Sequence, residues 1–213
     1  MALFTLADLH QVHQHQQPLL GLRTHESEFA FDAANFQLVM KQLFLGLPVQ
    51  PLLDAHPQMA AWVEEIKDLA PELFQLKKKL AIDRPVIAPL VLGDDPIFIQ
   101  VHVNLGFRRG VPRLYEWAVR QPELTWQDRI KLWATTIHYA FPPESVQLVV
   151  LALNATKPAQ KRKLRWNSIL HQQTERSLIQ LLTQPPEQTA NFPFSQSTGF
   201  DLIDLEAIPE IPI

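Results

Sequence analysis

Eleven Lys and Arg residues fall between Val101 and Arg165 against four Asp and Glu, a net of +7, whereas the 100 residues before and the 48 after each net −5. Two stretches supply most of this charge. Arg108, Arg109 and Arg113, with Arg120 beyond them, form the first; Lys157, Lys161, Arg162, Lys163 and Arg165 form the second. If the two converge in space they make one surface able to bind phosphates or an acidic protein face; if they do not, each is a solvated face. The other ionisable groups carry less. His10 and His13 in HQVHQHQQ stand one helical turn apart, with His15 nearby, a spacing that can bring two imidazoles to one ion. No carboxylate partner accompanies them and Gln surrounds them, so the segment reads as a solvated helix face and no metal is assigned. Glu116, Glu123, His102 and His138 are available for acid–base work, but no spacing groups them and no nucleophile-elbow pattern is present.

Composition narrows the classes further. The 213 residues are 46% hydrophobic and 19% charged, with no cysteine, which excludes disulfides, thiolate metal sites and a Cys nucleophile. Gly93, Gly106 and Gly110 match neither dinucleotide nor P-loop patterns. No basic leader followed by a long apolar run opens the chain, and no run approaches the roughly 20 residues of a membrane span. The expectation is a cytoplasmic protein without a membrane partner and without a cofactor.

Eighteen prolines divide the chain into short elements. Thr5 is placed to cap a helix running to Gln17, and Asp32 to cap a second, with Phe36, Val39, Met40, Leu43 and Phe44 on one face. Met59 to Leu69 and Pro71 to Leu80 continue the helical part. Val86 to Leu92 and Ile97 to Leu105 then predict a hairpin, with Ile97, Ile99, Val101 and Val103 on its core face. Pro112 suits the first turn of a helix running to about Arg120. Thr125 caps the next, in which Trp126, Ile130, Trp133 and Ile137 make a stripe, and Trp117, Trp126 and Trp133 read as core. Val146 to Leu153 predicts a strand buried on both faces. A basic connection follows, then a short strand from Leu164 to Trp166 and a last helix around Leu178, Ile179, Leu181 and Leu182. Trp166 supports nucleic-acid stacking only if exposed.

The expected architecture is α/β, with α+β as the variant: a mixed sheet of about four or five strands flanked by helices, a helical N-terminal region and an extended acidic C-terminal tail. Residues 1–184 form one globular domain, 1–82 mainly helical and 83–184 carrying the sheet. Residues 185–213 form an extended or disordered tail ending in FDLIDLEAIPEIPI, which cannot build a core alone. The tail is expected to lie on its own chain or dock a partner, and its four acids would compete for the basic middle.

Residues 126–182, with WQDRIKLWATTIHYAF, VQLVVLAL, KLRW and TERSLIQLL in that order, resemble the C-terminal half of RecB-family nucleases of the PD-(D/E)XK superfamily. The resemblance implies a site in which an Asp and a Glu-x-Lys on adjacent strands hold Mg²⁺ and activate water. The segment best placed for it is Asp94-Asp95 followed by Gln100-Val101-His102, with Gln100 where Glu is expected and His102 where Lys is expected. That pattern implies a degraded motif, and Asp94 and Asp95 read more simply as turn residues. Three functions follow: a non-catalytic binding or accessory protein whose basic surface docks nucleic acid or an acidic protein face; a Mg-dependent nuclease with an atypical site; and an assembly or scaffold factor docking through its tail.

Overall fold

The computed structural model describes residues 2–16, 26–75, 80–93, 95–154 and 158–183. Among them lies one mixed six-stranded sheet. The strands are β1 (Leu3–Thr5), β2 (Ala81–Leu92), β3 (Asp95–Arg108), β4 (Val111–Val119), β5 (Gln147–Leu153) and β6 (Gln160–Arg165). The helices are α1 (Leu6–Gln16), α2 (Glu26–Leu45), α3 (Gln50–Ala55), α4 (Pro57–Leu69), α5 (Pro71–Gln75), α6 (Trp126–His138) and α7 (Ser168–Thr183). The α/β expectation with a mixed sheet and flanking helices is what the chain builds, with one strand more than expected. The helix end expected at Gln17 and the tail expected at 185–213 lie outside the described residues. No helix among the described residues is long and apolar enough to cross a membrane.

Period-2 alternation sorts the sheet into two faces. On one, Val86, Ala88, Leu90, Ile99, Val101, Val103, Leu105, Leu114, Leu148 and Val150 pack under Leu9 of α1, Ile130, Leu132 and Trp133 of α6, and Leu178 and Leu181 of α7. On the other, Tyr115, Trp117, Val149, Leu151 and Leu153 pack under Phe36, Val39, Met40 and Phe44 of α2 and Trp62, Val63 and Ile66 of α4. β5 belongs to both clusters and is buried from Leu148 to Leu153, as a strand covered on both faces must be.

Four boundaries differ from the sequence expectation. The segment from Pro112 is a strand, not a helix. Arg109 (φ 53°) and Gly110 (φ 81°) make a two-residue turn, and Phe107 pairs with Pro112 across it. A turn with two positive φ values matches strand twist, so it folds the chain back as a hairpin. α2 starts at Glu26, so Asp32 lies inside the helix rather than at its cap, and its side chain is outside the described residues. The basic connection is itself mostly strand: β6 runs from Gln160, and Trp166 follows it, buried. Leu3–Thr5 joins the sheet, parallel to β3. The Thr5 cap stands, since its Oγ1 accepts from the Asp8 N–H at 3.3 Å while Asp8 Oδ2 accepts from the Thr5 N–H at 2.7 Å. Thr125 and Asp128 form the same reciprocal box at α6.

The two outer edges are treated differently. On β2, Pro85 and Pro89 pair with His102 and Phe98, so two backbone donors are missing from the outer side. Ile87 lies between them, and His138 Nδ1 sits 2.9 Å from its carbonyl oxygen. That edge is blunted against another strand. At the opposite end β6, six residues of sequence QKRKLR, is the last strand of the sheet among the described residues and contains no proline.

Candidate functional site

Two polar clefts stand out, and strand pairing creates both. β2 occupies one side of β3 from Asp95 to Leu105. β1 and β4 must therefore share the other side, β4 at Asn104–Arg108 and β1 at Phe98–Gln100. The pairing of β3 with β4 ends at Asn104 and Tyr115, and beyond it β4 stays paired with β5 alone. The strands part at that point and leave a fork.

A cleft of about 300 Å³ fills the fork. Glu116, the first β4 residue past the split, is reached from both faces of the sheet. Lys131 Nζ of α6 lies 2.8 Å from Glu116 Oε2, and Gln37 Nε2 of α2 lies 3.4 Å from Oε1 while also donating to the Trp117 carbonyl. Both ends of the Lys131–Glu116 pair are largely buried, with side chains 16% and 15% exposed. Across the fork Asp83 sits in a β2 irregularity with φ 54°, a left-handed conformation Asp tolerates better than most residues. Its N–H donates to Asn104 Oδ1 at 3.1 Å, and Asn104 Nδ2 donates to the Tyr115 carbonyl at 3.2 Å. The Lys41 ammonium hydrogen-bonds the Asp83 carboxylate and, with His102 Nδ1 at 3.2 Å, holds it below the usual carboxylate range. Each carboxylate is thus matched by a lysine. Among the described residues no three His, Asp or Glu side chains are grouped to hold a metal.

The second cleft, about 280 Å³, lies at the β3–β4 turn and is lined by Arg108, Arg109, Val111, Pro112, Arg113, Glu144, Ser145 and Gln147. Arg113 of β4 pairs in register with Gln147 of β5, and Gln147 with Arg165 of β6. Residues in register on adjacent strands share a face, so Arg113 and Arg165 stand two strand spacings apart, about 10 Å. Arg113 Nη2 donates to Gln147 Oε1 at 2.8 Å. Arg108, Arg109, Arg113, Arg162, Lys163 and Arg165 form no ion pair among the described residues. Glu144, the one acid lining the cleft, is turned to α7, accepting from the Ser168 N–H at 2.9 Å and hydroxyl at 2.6 Å, which hold its carboxyl below the usual range.

The sequence-derived basic residues therefore divide. Arg108, Arg109, Arg113 and Arg165 share one end of the sheet, with Lys163 one row further along the same face. Lys161 is engaged by Glu72 of α5; burial opposes the Glu72 charge, but the Lys161 ammonium prevails and keeps that carboxyl low. Arg162 pairs with Val150 and so faces the other side. Lys157 lies outside the described residues, as do Asp94 and the Asp95 side chain. Gln100 and His102 share a face of β3, with their Nε2 atoms 3.3 Å apart, and only His102 lines the fork. Trp166 is 2% exposed, which removes it as a stacking platform. Trp117 and Trp133 are core; half-buried Trp126 packs against His13 at 4.7 Å between ring centroids. Gln37, Lys41, Asp83, Asn104 and Lys131 were not singled out from sequence. They come from four elements, α2, β2, β3 and α6, which meet where β3 splits from β4.

No family model and no curated protein matches the chain. Among solved structures it is similar to SSO0001, at 7% identity and a TM-score of 0.42, over 88% of this chain and 79% of that one. It is also similar to a protein named "Putative exonuclease" from Eubacterium rectale, at 11% identity and a TM-score of 0.43, over 70% of this chain and 66% of that one.

Proposed function

We propose that the protein is a non-catalytic binding or accessory protein that docks an anionic partner, a nucleic-acid backbone, at the cleft of the β3–β4 turn. The carrying observation is the gathering of Arg108, Arg109, Arg113 and Arg165 at one end of the sheet without an ion-paired carboxylate among the described residues. Arginine forks suit phosphate oxygens, and Gln147 fixes the Arg113 guanidinium where it can offer its remaining donors. An acidic protein face would use the same donors. The test is a titration against duplex DNA, RNA and heparin at two salt concentrations. Affinity for at least one nucleic acid, falling as salt rises, supports the reading. Absence of binding to both nucleic acids at low salt overturns it, and binding to heparin alone assigns the surface to another anion.

A second reading, hydrolysis at the fork, is favoured by Glu116 held against Lys131 on a strand that parts from β3 beside Asn104. It predicts nuclease activity with added Mg²⁺ or Mn²⁺ that disappears in Glu116→Gln. Activity unchanged in that variant rejects the fork, and no activity in the wild type rejects the reading.

A further inference from the structure

The two edges of the sheet are guarded differently, one by proline and one by charge. β2 is closed by Pro85, Pro89 and the approach of His138 to Ile87. β6 carries no proline, and the four positive charges in its six residues QKRKLR guard its edge against a like-charged strand while leaving it open to an acidic one. Alternate backbone groups of an outermost strand point away from its neighbour and can bond a further strand. A second β6 is a poor occupant, because it would set like charges opposite one another. The matching occupant is acidic, extended and aliphatic.

We propose that residues 200–208 of this chain, FDLIDLEAI, add to the outer edge of β6 as a seventh strand. The segment is free of proline until Pro209 and carries Asp201, Asp204 and Glu206 among Phe200, Leu202, Ile203, Leu205 and Ile208. Asp204 and Glu206, two residues apart, can fall opposite Lys163 and Arg165, also two apart, which form no ion pair among the described residues. Its backbone fills the open side of the ladder, the mode by which extended peptides join sheet edges. The reach is sufficient. α7 begins three residues after β6 and spans 16 residues, about 24 Å at 1.5 Å per residue. The sixteen residues from 184 to 199 extend to roughly 50 Å, about twice the return distance. Strand addition places acids beside Arg165 and so regulates the anion surface proposed above; that consequence, and not the strand addition itself, rests on that reading.

Hydrogen exchange followed by mass spectrometry, with no anion present, tests the proposal independently of nucleic-acid binding. Three proteins are compared: the full chain, the full chain with Ile203→Pro, and a chain ending at Thr183. The expected result is that the outward-pointing amides between Lys161 and Arg165 exchange roughly tenfold faster in both altered proteins, while the amides that β6 and β5 share keep their protection. A synthetic peptide of residues 198–213 added to the shortened chain restores protection. Equal exchange of β6 in all three proteins overturns the proposal. Protection that grows with protein concentration assigns the strand to a second copy and overturns it as well.

Discussion

Replacing Lys131 by Met removes the ammonium that faces Glu116 and leaves its carboxylate with the Gln37 amide as its remaining side-chain hydrogen-bond partner among the described residues. Breaking a buried pair by deleting one partner costs about 3–5 kcal/mol. Lys131 and Glu116 remain 16% and 15% exposed, so some water reaches them and the lower end, about 3 kcal/mol, applies. At about 2–4 °C per kcal/mol for a chain of this size, the midpoint of thermal unfolding falls by roughly 6–12 °C. Pairing Lys131→Met with Glu116→Leu returns most of the loss, because the stranded charge goes with its partner. A double-mutant cycle from urea denaturation reads this coupling directly. If Lys131→Met costs less than about 1 kcal/mol, or if the second substitution adds its own loss in full, the two groups do not act as a desolvated pair, and the description of the fork fails.

Two pH dependences follow. Lys41 holds Asp83 below its ordinary value of 3.8, so this pair stabilises the fold above that pH and the contribution is lost as pH falls through the folded value. Acid unfolding followed by circular dichroism should begin at higher pH in Lys41→Met than in the wild type; coincident acid limbs would contradict the pairing. His171, between Trp133 and Trp166 at ring separations of 6.4 and 5.9 Å, is pushed below its ordinary 6.5 by burial, with Glu175 and Glu144 opposing. The unfolded chain takes up the proton more readily, so stability declines as pH drops through 6.5. Between pH 7.5 and 5.5 the melting temperature of His171→Leu should decline less than that of the wild type, and an equal decline would refute the assignment.

The layered core was legible because period and burial agree within single elements. The β3 alternation of Ile97, Ile99, Val101 and Val103, the α6 stripe and the apolar run of β5 each declare their buried side locally. Where two local signals conflict, pattern alone does not choose between them. Pro112 resembles a helix start, yet Arg109-Gly110 just before it is a hairpin turn, and the turn decides the direction of the chain. Three residues at Leu3–Thr5 carry too little pattern to announce a strand, and β1 exists because β3 offers it an edge. Of the basic surface, the charge was legible and its partition was not. Lys161 is taken up by Glu72, a residue 89 positions away, and Arg162 is turned to the far face by the register with β5. Glu116 was visible as an ionisable group, but its partners Gln37 and Lys131 lie on helices of opposite layers, and no spacing in the sequence encodes that meeting.

The salt dependence of nucleic-acid binding in Arg108→Ala/Arg109→Ala against the wild type bears most directly on the account. If these side chains line the docking cleft, affinity falls for every sequence tested and the slope of log K against log salt shallows by about one for each phosphate no longer neutralised. A double variant with the wild-type slope and affinity would place the partner elsewhere and contradict the assignment of this end of the sheet.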